Sequence, residues 1–485
     1  MRSKVDYLES LKKMRPNIYK FGELIHDVTT HPATRRTVTS HSRVFELADS
    51  EEYKDLFTTT SFLTNKRIMR FNSLMTTLHD IMANAEFKRT MYRLTGTCTG
   101  GLCVGWNCIN TMWAVTYEMD AKLGTNYHER LKNWLLDAED KGLVVAGALT
   151  DAKGNRAKKP CEQNNPDKNL RIVEENEEGI VVSGCKAMIC GVAASEEIFV
   201  LPGAVYKADN RNYAVAFVIP RDADGLTIIE ARRPSDSREY EEGFDIPETG
   251  ITQSYLLFDK VFIPRERVFM AGEFEFTSRI IEYFTANYRA CIGACVAGQG
   301  DVMVGAAVLM ARANGLSSKI FKDKILQMIL NNETTYGLGI GAMALGKRHP
   351  SSVWIADSIS AHTNKVLVAT LPYETKRLCQ EIGGGVVETG CLPSYMDIMD
   401  PLYGGKLREY LTANEEVSGV SRAKIARLVE WLTIGAGVPG CMHGGGSPDG
   451  ARLVVYGKTP LEKYAAYAKN IAGIKEDIRE PENKK

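Results

Sequence analysis

Five cysteines fall into two tight groups in this chain. Cys98, Cys103 and Cys108 lie within GTCTGGLCVGWNCIN, and Cys291 and Cys295 lie within NYRACIGACVAGQGD. Thiolates four or five positions apart can reach a single iron–sulfur cluster. The second pair shares one face of any helix that runs there. Gly293, Ala294 and Ala297 around it are small enough to admit a bulky group. The plainer reading is that these thiols are core residues, because free cysteine packs as a small hydrophobe. Eleven cysteines, an odd number, in 485 residues do not describe a disulfide framework.

Three further segments have the texture of ligand-binding loops. GALTDAKGNR, residues 147–156, offers Thr150, Asp151, Gly154, Asn155 and Arg156. Such a loop supplies backbone donors and a cation to an anionic or heteroaromatic cofactor, and equally serves as a surface turn. In EIGGGVVETG, Gly383, Gly384 and Gly385 would let backbone approach a phosphate. A glycine stop at a helix end is the alternative. In CMHGGGSPDG, His443 stands among glycines, in a loop that turns sharply or touches a ligand. YGLGIGAMALG has glycines but no strand before it, and neither a Walker A sequence nor HExxH occurs.

The elements that carry these residues follow from periodicity. Residues 1 to 145 show apolar positions three and four apart, as in TNKRIMRFNSLMTTLHDIMANAEFKRTMYRL, and read as a helical domain. Residues 146–272 change to a period of two in short β-branched runs such as NYAVAFVIP and SYLLFDKVFIP. Five or more closely spaced strands predict a sandwich or barrel. The helical period returns over 273–485. The expected class is α+β, in three domains ordered helix, strand, helix.

Composition sets the partners. Hydrophobic residues make up 44% and charged residues 25%, enough for a large core. Sixty basic residues balance sixty acidic ones, so nothing attracts nucleic acid or an anionic membrane. The best apolar run, Val302 to Ala311, stops at Arg312, short of a membrane span. MRSKVDYLESLKKMRPN lacks a signal-peptide core, and the reading is cytoplasmic.

TYEMDAKLGTNYHERL, GALTDAKGNR, LRIVEENEEGIVVSGCKA, FDKVFIPRERVF, GQGDVMVGAA and MHGGGSPDGARL together resemble the 4-hydroxybutyryl-CoA dehydratase (vinylacetyl-CoA isomerase) family. More distantly, the chain is similar to the flavin-dependent 4-hydroxyphenylacetate 3-hydroxylases. The resemblance implies an acyl-CoA-dehydrogenase-like subunit with a helical N-terminal domain, a middle β-barrel and a C-terminal helical bundle. It implies a homotetramer that binds FAD. Leu149, Thr150, Asp151, Ala152, Lys153, Gly154, Asn155 and Arg156 match the first flavin-binding stretch, and Met188, Ile189 and Cys190 match the second. It also implies a [4Fe-4S] cluster held by three cysteines and a histidine.

The chain departs from that pattern at the polar positions. Cys98 and Cys103 have four intervening residues where the dehydratases have three, and Tyr288 stands where they have the cluster histidine. Ile292 and Val296 replace a tyrosine and a lysine, Gln253 replaces a glutamate, and a second glutamate falls near Gly440. Two expectations follow. Either Cys98, Cys103, Cys291 and Cys295 hold an all-cysteine cluster, or the cluster is lost and a flavoenzyme with other chemistry remains. In both, the substrate is an acyl-CoA or similar thioester, with Arg289 orienting it and Tyr288 as the acid/base group. The alternatives are a reduced-flavin-dependent hydroxylase of phenols and an inactive flavin-binding paralogue.

Overall fold

The computed structural model describes residues 1–232, 248–390, 392–434, 444–476 and 478. The N-terminal helices are α1 (Lys4–Lys13), α2 (Arg35–Asp49), α3 (Lys54–Phe57), α4 (Leu78–Thr95), α5 (Gly100–Leu123) and α6 (Tyr127–Lys141). Helix α4 begins at a reciprocal cap, in which Thr77 Oγ1 accepts from Asp80 N and the Asp80 carboxylate accepts from Thr77 N. It ends at Gly96, whose φ of 69° stops the helix and turns the chain toward α5. Between these helices run the short strands β1 (Ile18–Lys20), β2 (Glu23–Ile25), β3 (Thr58–Thr60) and β4 (Arg67–Met69).

The strand-rich segment contributes β5 (Val145–Ala148), β6 (Arg171–Glu175), β7 (Gly179–Cys190), β8 (Glu197–Val200), β9 (Val215–Pro220), β10 (Leu226–Glu230), β11 (Gln253–Pro264) and β12 (Val268–Ala271). The expected barrel does not close among the described residues. The strands divide into a six-stranded sheet, β2-β1-β10-β11-β7-β6, and a four-stranded sheet, β12-β9-β8-β5. Burial explains the division. Strands β8 and β9 are apolar runs buried on both faces, so each face needs a cover. Trp134 of α6 packs on Phe199 from one side, and Phe258 of β11 meets Phe217 from the other. Strand β11 buries alternate residues, as a strand covered on one face does. The larger sheet also draws on residues 18–25, with Ile18 beside Ile228 in parallel.

The C-terminal helices are α7 (Thr277–Ala313), α8 (Lys319–Ala344), α9 (Ser358–Val368), α10 (Leu371–Gly383), α11 (Gly385–Glu388), α12 (Tyr395–Met399), α13 (Gly404–Leu411), α14 (Gly419–Ile434), α15 (Pro448–Lys458) and α16 (Leu461–Ala472). The segment Phe274–Ala313 is long and apolar enough to cross a membrane by length and composition, and most of its apolar window is buried here. Helix α7 is the central rod. Gly298 faces α4 so closely that a Cβ would lie 2.7 Å from the Arg89 carbonyl oxygen and 2.6 Å from Tyr92 Cβ. Beside that contact Arg89 forms a bidentate pair with Asp301 at 2.8 Å on both arms.

Helix α5 lies on β5 with the same closeness, and a Cβ at Gly105 would fall on the Val145 carbonyl oxygen. Gly105→Ala should therefore destabilise the fold by about 1–3 kcal/mol through overpacking. Urea denaturation measures this, and an unchanged midpoint would refute the contact.

Candidate functional site

Helices α4, α5 and α7 and the end of β7 meet around a buried cluster of side chains, called the chamber below, that brings the predicted cysteines together. Lys88 enters it from α4 and is 3% exposed. Its Nζ lies 5.6 Å from the centre of the Tyr288 ring, which stacks on Phe284 at 5.4 Å. Cys291, Cys103, Cys295 and Cys98 all stand close enough to Lys88 to act on its charge. Cys103, Cys295, Cys190 and Cys98 act likewise on Tyr288. At the mouth of α5, a Cβ on Gly100 would lie 3.3 Å from Cys190 Sγ, and Gln253 Nε2 reaches that sulfur at 3.5 Å.

The electrostatics of the chamber follow from burial. Burial pushes the Cys98 thiol well above its ordinary pKa, with Cys295, Cys190 and Cys103 adding to the effect. It also raises Cys103 and Cys291, against a downward pull from Lys88, and takes Cys190 to about 11. Tyr288 is held well above the usual phenol value, by burial first and then by the cysteines. Burial acts to lower Lys88, the four cysteines act to raise it, and the balance lies above the ordinary lysine value. At neutral pH Cys98, Cys103 and Cys291 keep their protons, because burial raises all three. Neither Lys88 nor the Tyr288 phenol makes a hydrogen bond among the described residues.

The expected iron–sulfur ligands thus share a chamber without forming a ligand set. Among the described residues no three His, Cys, Asp or Glu side chains are arranged to hold a metal ion. The physical reason is local: Cys103 Sγ is turned to the Gly100 carbonyl at 3.4 Å, Cys295 Sγ to the Ile292 carbonyl at 3.3 Å, and Lys88 stands among them. Spacing alone missed Lys88. Its signal is a lysine on the apolar stripe of α4, in register with the buried Ile81, Asn84, Ala85, Met91, Tyr92 and Thr95. His41 of α2 was missed as well. Burial lowers its pKa to about 4, and its Nε2 has no partner and would lie 3.1 Å from a Cβ at Gly191.

The two expected flavin stretches meet beside the chamber. Ala187 N donates to the Thr150 carbonyl at 2.8 Å. Lys186 Nζ pairs with the Asp151 carboxylate at 2.8 Å and donates to the Leu149 and Leu201 carbonyls at 2.7 and 2.9 Å. Asp151 also accepts from Leu170 N. Its carboxylate therefore pins the loop from inside, while Ala152, Gly154, Asn155 and Arg156 are exposed. Lys153 and Met188 both adopt positive φ, 68° and 58°, a strain that persists only where surrounding structure enforces it. Met188 is exposed, Ile189 is buried, and Cys190 leads into the chamber.

The remaining expected residues lie elsewhere. Arg289, on the turn after Tyr288, donates from Nε to the Gly445 carbonyl at 3.0 Å, and burial pulls its pKa down to about 10. It anchors the 444–446 segment rather than entering the chamber with Lys88. Gly383 is buried at the end of α10, whereas Gly384, with φ of 77°, faces open space. His443 lies outside the described residues.

Residues 3–270 match the 4-hydroxyphenylacetate 3-hydroxylase N-terminal family, and residues 277–473 match its C-terminal family. The chain belongs to the 4-hydroxyphenylacetate 3-hydroxylase family. Within it, the chain is 35% identical over 486 residues to the 4-hydroxybutyryl-CoA dehydratase/vinylacetyl-CoA-Δ-isomerase of Clostridium aminobutyricum, covering 97% of this chain and 99% of that one. It superposes on an oxygen-tolerant archaeal 4-hydroxybutyryl-CoA dehydratase from N. maritimus with a TM-score of 0.95 and 36% identity, over 99% of this chain and 96% of that one. A 4-hydroxyphenylacetate 3-monooxygenase oxygenase component of Thermus thermophilus is 25% identical over 443 residues, 89% of this chain and 88% of the relative. These family members share this fold; in this chain Ile292, Val296 and Val368 form a small apolar cluster against which Tyr288 and Cys295 pack.

A separate cavity of about 370 Å³ is lined by Arg2, Lys66, Arg67, Glu139 and Asp140 among others. Glu139 Oε2 accepts from Ser61 Oγ at 2.6 Å, and its Oε1 is buried without a partner. Burial raises this carboxyl from 4.5 to about 7, against the Ser61 hydrogen bond. Between those values the folded chain holds the extra proton, so this group lowers stability as pH rises from 4.5 through about 7. Denaturation of Glu139→Gln across that range should show the fall removed relative to wild type; parallel profiles would refute the assignment.

Proposed function

We propose that this chain is a flavin-dependent enzyme acting on acyl-CoA thioesters by moving a proton next to the thioester. Double-bond isomerisation is the reaction its residues support best; elimination and α,β-oxidation at the same carbons are the related outcomes. The observation that carries the reading is the chamber itself. One buried amino group, one phenol and an apolar patch line it, beside two segments whose strained backbones meet. The 35% identity to a dehydratase/isomerase over nearly the whole chain favours acyl-CoA chemistry over the second reading, reduced-flavin hydroxylation of a phenol, whose relatives stand at 25%.

The loop at 149–156 and the end of β7 at 188–190 fit FAD. Arg156 is exposed and makes no hydrogen bond or ion pair among the described residues, leaving its guanidinium for a flavin or phosphate oxygen. When bound, FAD would supply an electron acceptor to the reaction. An iron–sulfur cluster does not fit the described donors, and no step depends on one. Moving a β,γ double bond into conjugation breaks an α C–H bond and forms a γ C–H bond, with no net redox change. Tyr288, kept protonated by burial, gives its proton to the γ carbon while its oxygen takes up the proton leaving the α carbon, so the phenol is unchanged over the cycle. The apolar patch excludes water from the reacting carbons.

The support for a homo-oligomer is an apolar surface on the last two helices. Leu453 and Tyr456 of α15 and Tyr464 and Ile471 of α16 are exposed in the single chain. A second copy, in the expected homotetramer, covers such a face.

Anaerobically purified protein should show a flavin spectrum without stoichiometric iron and should convert vinylacetyl-CoA to crotonyl-CoA. Arg156→Ala should lower flavin occupancy with the fold intact. Stoichiometric iron, or flavin-replete protein inert toward the thioester, would contradict the proposal. Light scattering should give a multiple of the 53.7 kDa chain, and a flavin-replete monomer would count against the tetramer.

A further inference from the structure

Two lysines are almost fully buried near the proposed site, and their surroundings differ. Lys186 is satisfied by Asp151 and two backbone carbonyls. Lys88 is 3% exposed and makes no hydrogen bond or ion pair among the described residues. An enclosed amino group so placed gains from an oxygen that a ligand brings. The carboxylates nearest in sequence and across the helix contact are already engaged. Asp301 pairs with Arg89 and Arg93, and Glu86 accepts from the Tyr336 hydroxyl. The groups that do face Lys88 are the Tyr288 ring and four cysteines.

Resting on the acyl-CoA reading above, we propose that Lys88 is a substrate-binding residue whose Nζ donates a hydrogen bond to the thioester carbonyl oxygen of the bound acyl-CoA. Three features favour that oxygen over a phosphate. Among the described residues the chamber presents a single amino group, because Arg89 is paired and Arg289 is turned to Gly445. Its other walls are aromatic, thiol and aliphatic, which suit an acyl chain. A carbonyl oxygen gains negative charge when the α-proton leaves, and a donor fixed there in advance stabilises that charge where it develops.

The test is difference infrared spectroscopy on the flavin-loaded enzyme with carbonyl-labelled butyryl-CoA, alongside its Kd. Wild type should bind it with the carbonyl stretch moved to lower frequency than in water. Lys88→Met should lose most of that displacement and weaken binding by about tenfold or more, and Lys88→Arg should keep part of both. If wild type binds the thioester with an undisplaced carbonyl, or if K88M matches wild type in frequency and Kd, the proposal is overturned while the acyl-CoA reading stands. If the flavin-loaded wild type binds no acyl-CoA, that reading falls and the proposal falls with it. Should K88M fail to retain flavin, the wild-type frequency and Lys88→Gln decide by the same criteria.

Discussion

The site depends on how closely α7 lies against its neighbours. Small residues at the contact let the backbones of α4 and α7 nearly touch at Gly298, and Asn332 of α8 donates to the Ala297 carbonyl at 3.0 Å on another side of the rod. Any bulkier residue there would separate the helices. That spacing brings Tyr288, Cys291 and Cys295 within reach of α4 and of the start of α5. It also decides the fate of two neighbouring cations. Arg89 meets Asp301 across the contact, where burial works against the carboxylate and Arg89 and Arg93 more than offset it. Lys88, one residue earlier, meets no carboxylate among the described residues.

The chamber therefore stores an unmet requirement. Satisfied buried charges stiffen a structure, as Lys186 and Asp151 do where they tie the 149–156 loop to β7. An unsatisfied donor instead makes a site selective for whatever completes it. Among the described residues around Lys88, burial keeps the Cys98, Cys103 and Cys291 thiols neutral and the phenol protonated, so the proposed complement is an oxygen brought by a ligand. The same environment bears on water. Ile292 and Val296 carry no polar group that would hold a water there.

Much of this was legible in the sequence because it rests on periodicity. The helix, strand, helix order followed from the change of apolar spacing, and the convergence of Cys291 with Cys295 from their separation by one turn. The barrel was not legible, because closure depends on what covers each face. Phe199 and Phe217 look alike in sequence, yet one is covered by a helix and the other by a sheet. Three-residue strands such as Ile18–Lys20 carry too little pattern to be seen. A metal ligand set is not seen among the described residues, and spacing alone says which thiols share a face and nothing of where each sulfur turns. Lys88 escaped notice because a lysine on an apolar stripe ordinarily extends its amino group to solvent.

A crystal structure of the flavin-loaded enzyme with an unreactive acyl-CoA analogue bound tests the account most directly. The account predicts the thioester oxygen within hydrogen-bond distance of Lys88 Nζ, with the acyl chain against Tyr288 and Ile292. An acyl chain seated outside the chamber, or Lys88 coordinated by a group of the protein itself, would contradict it.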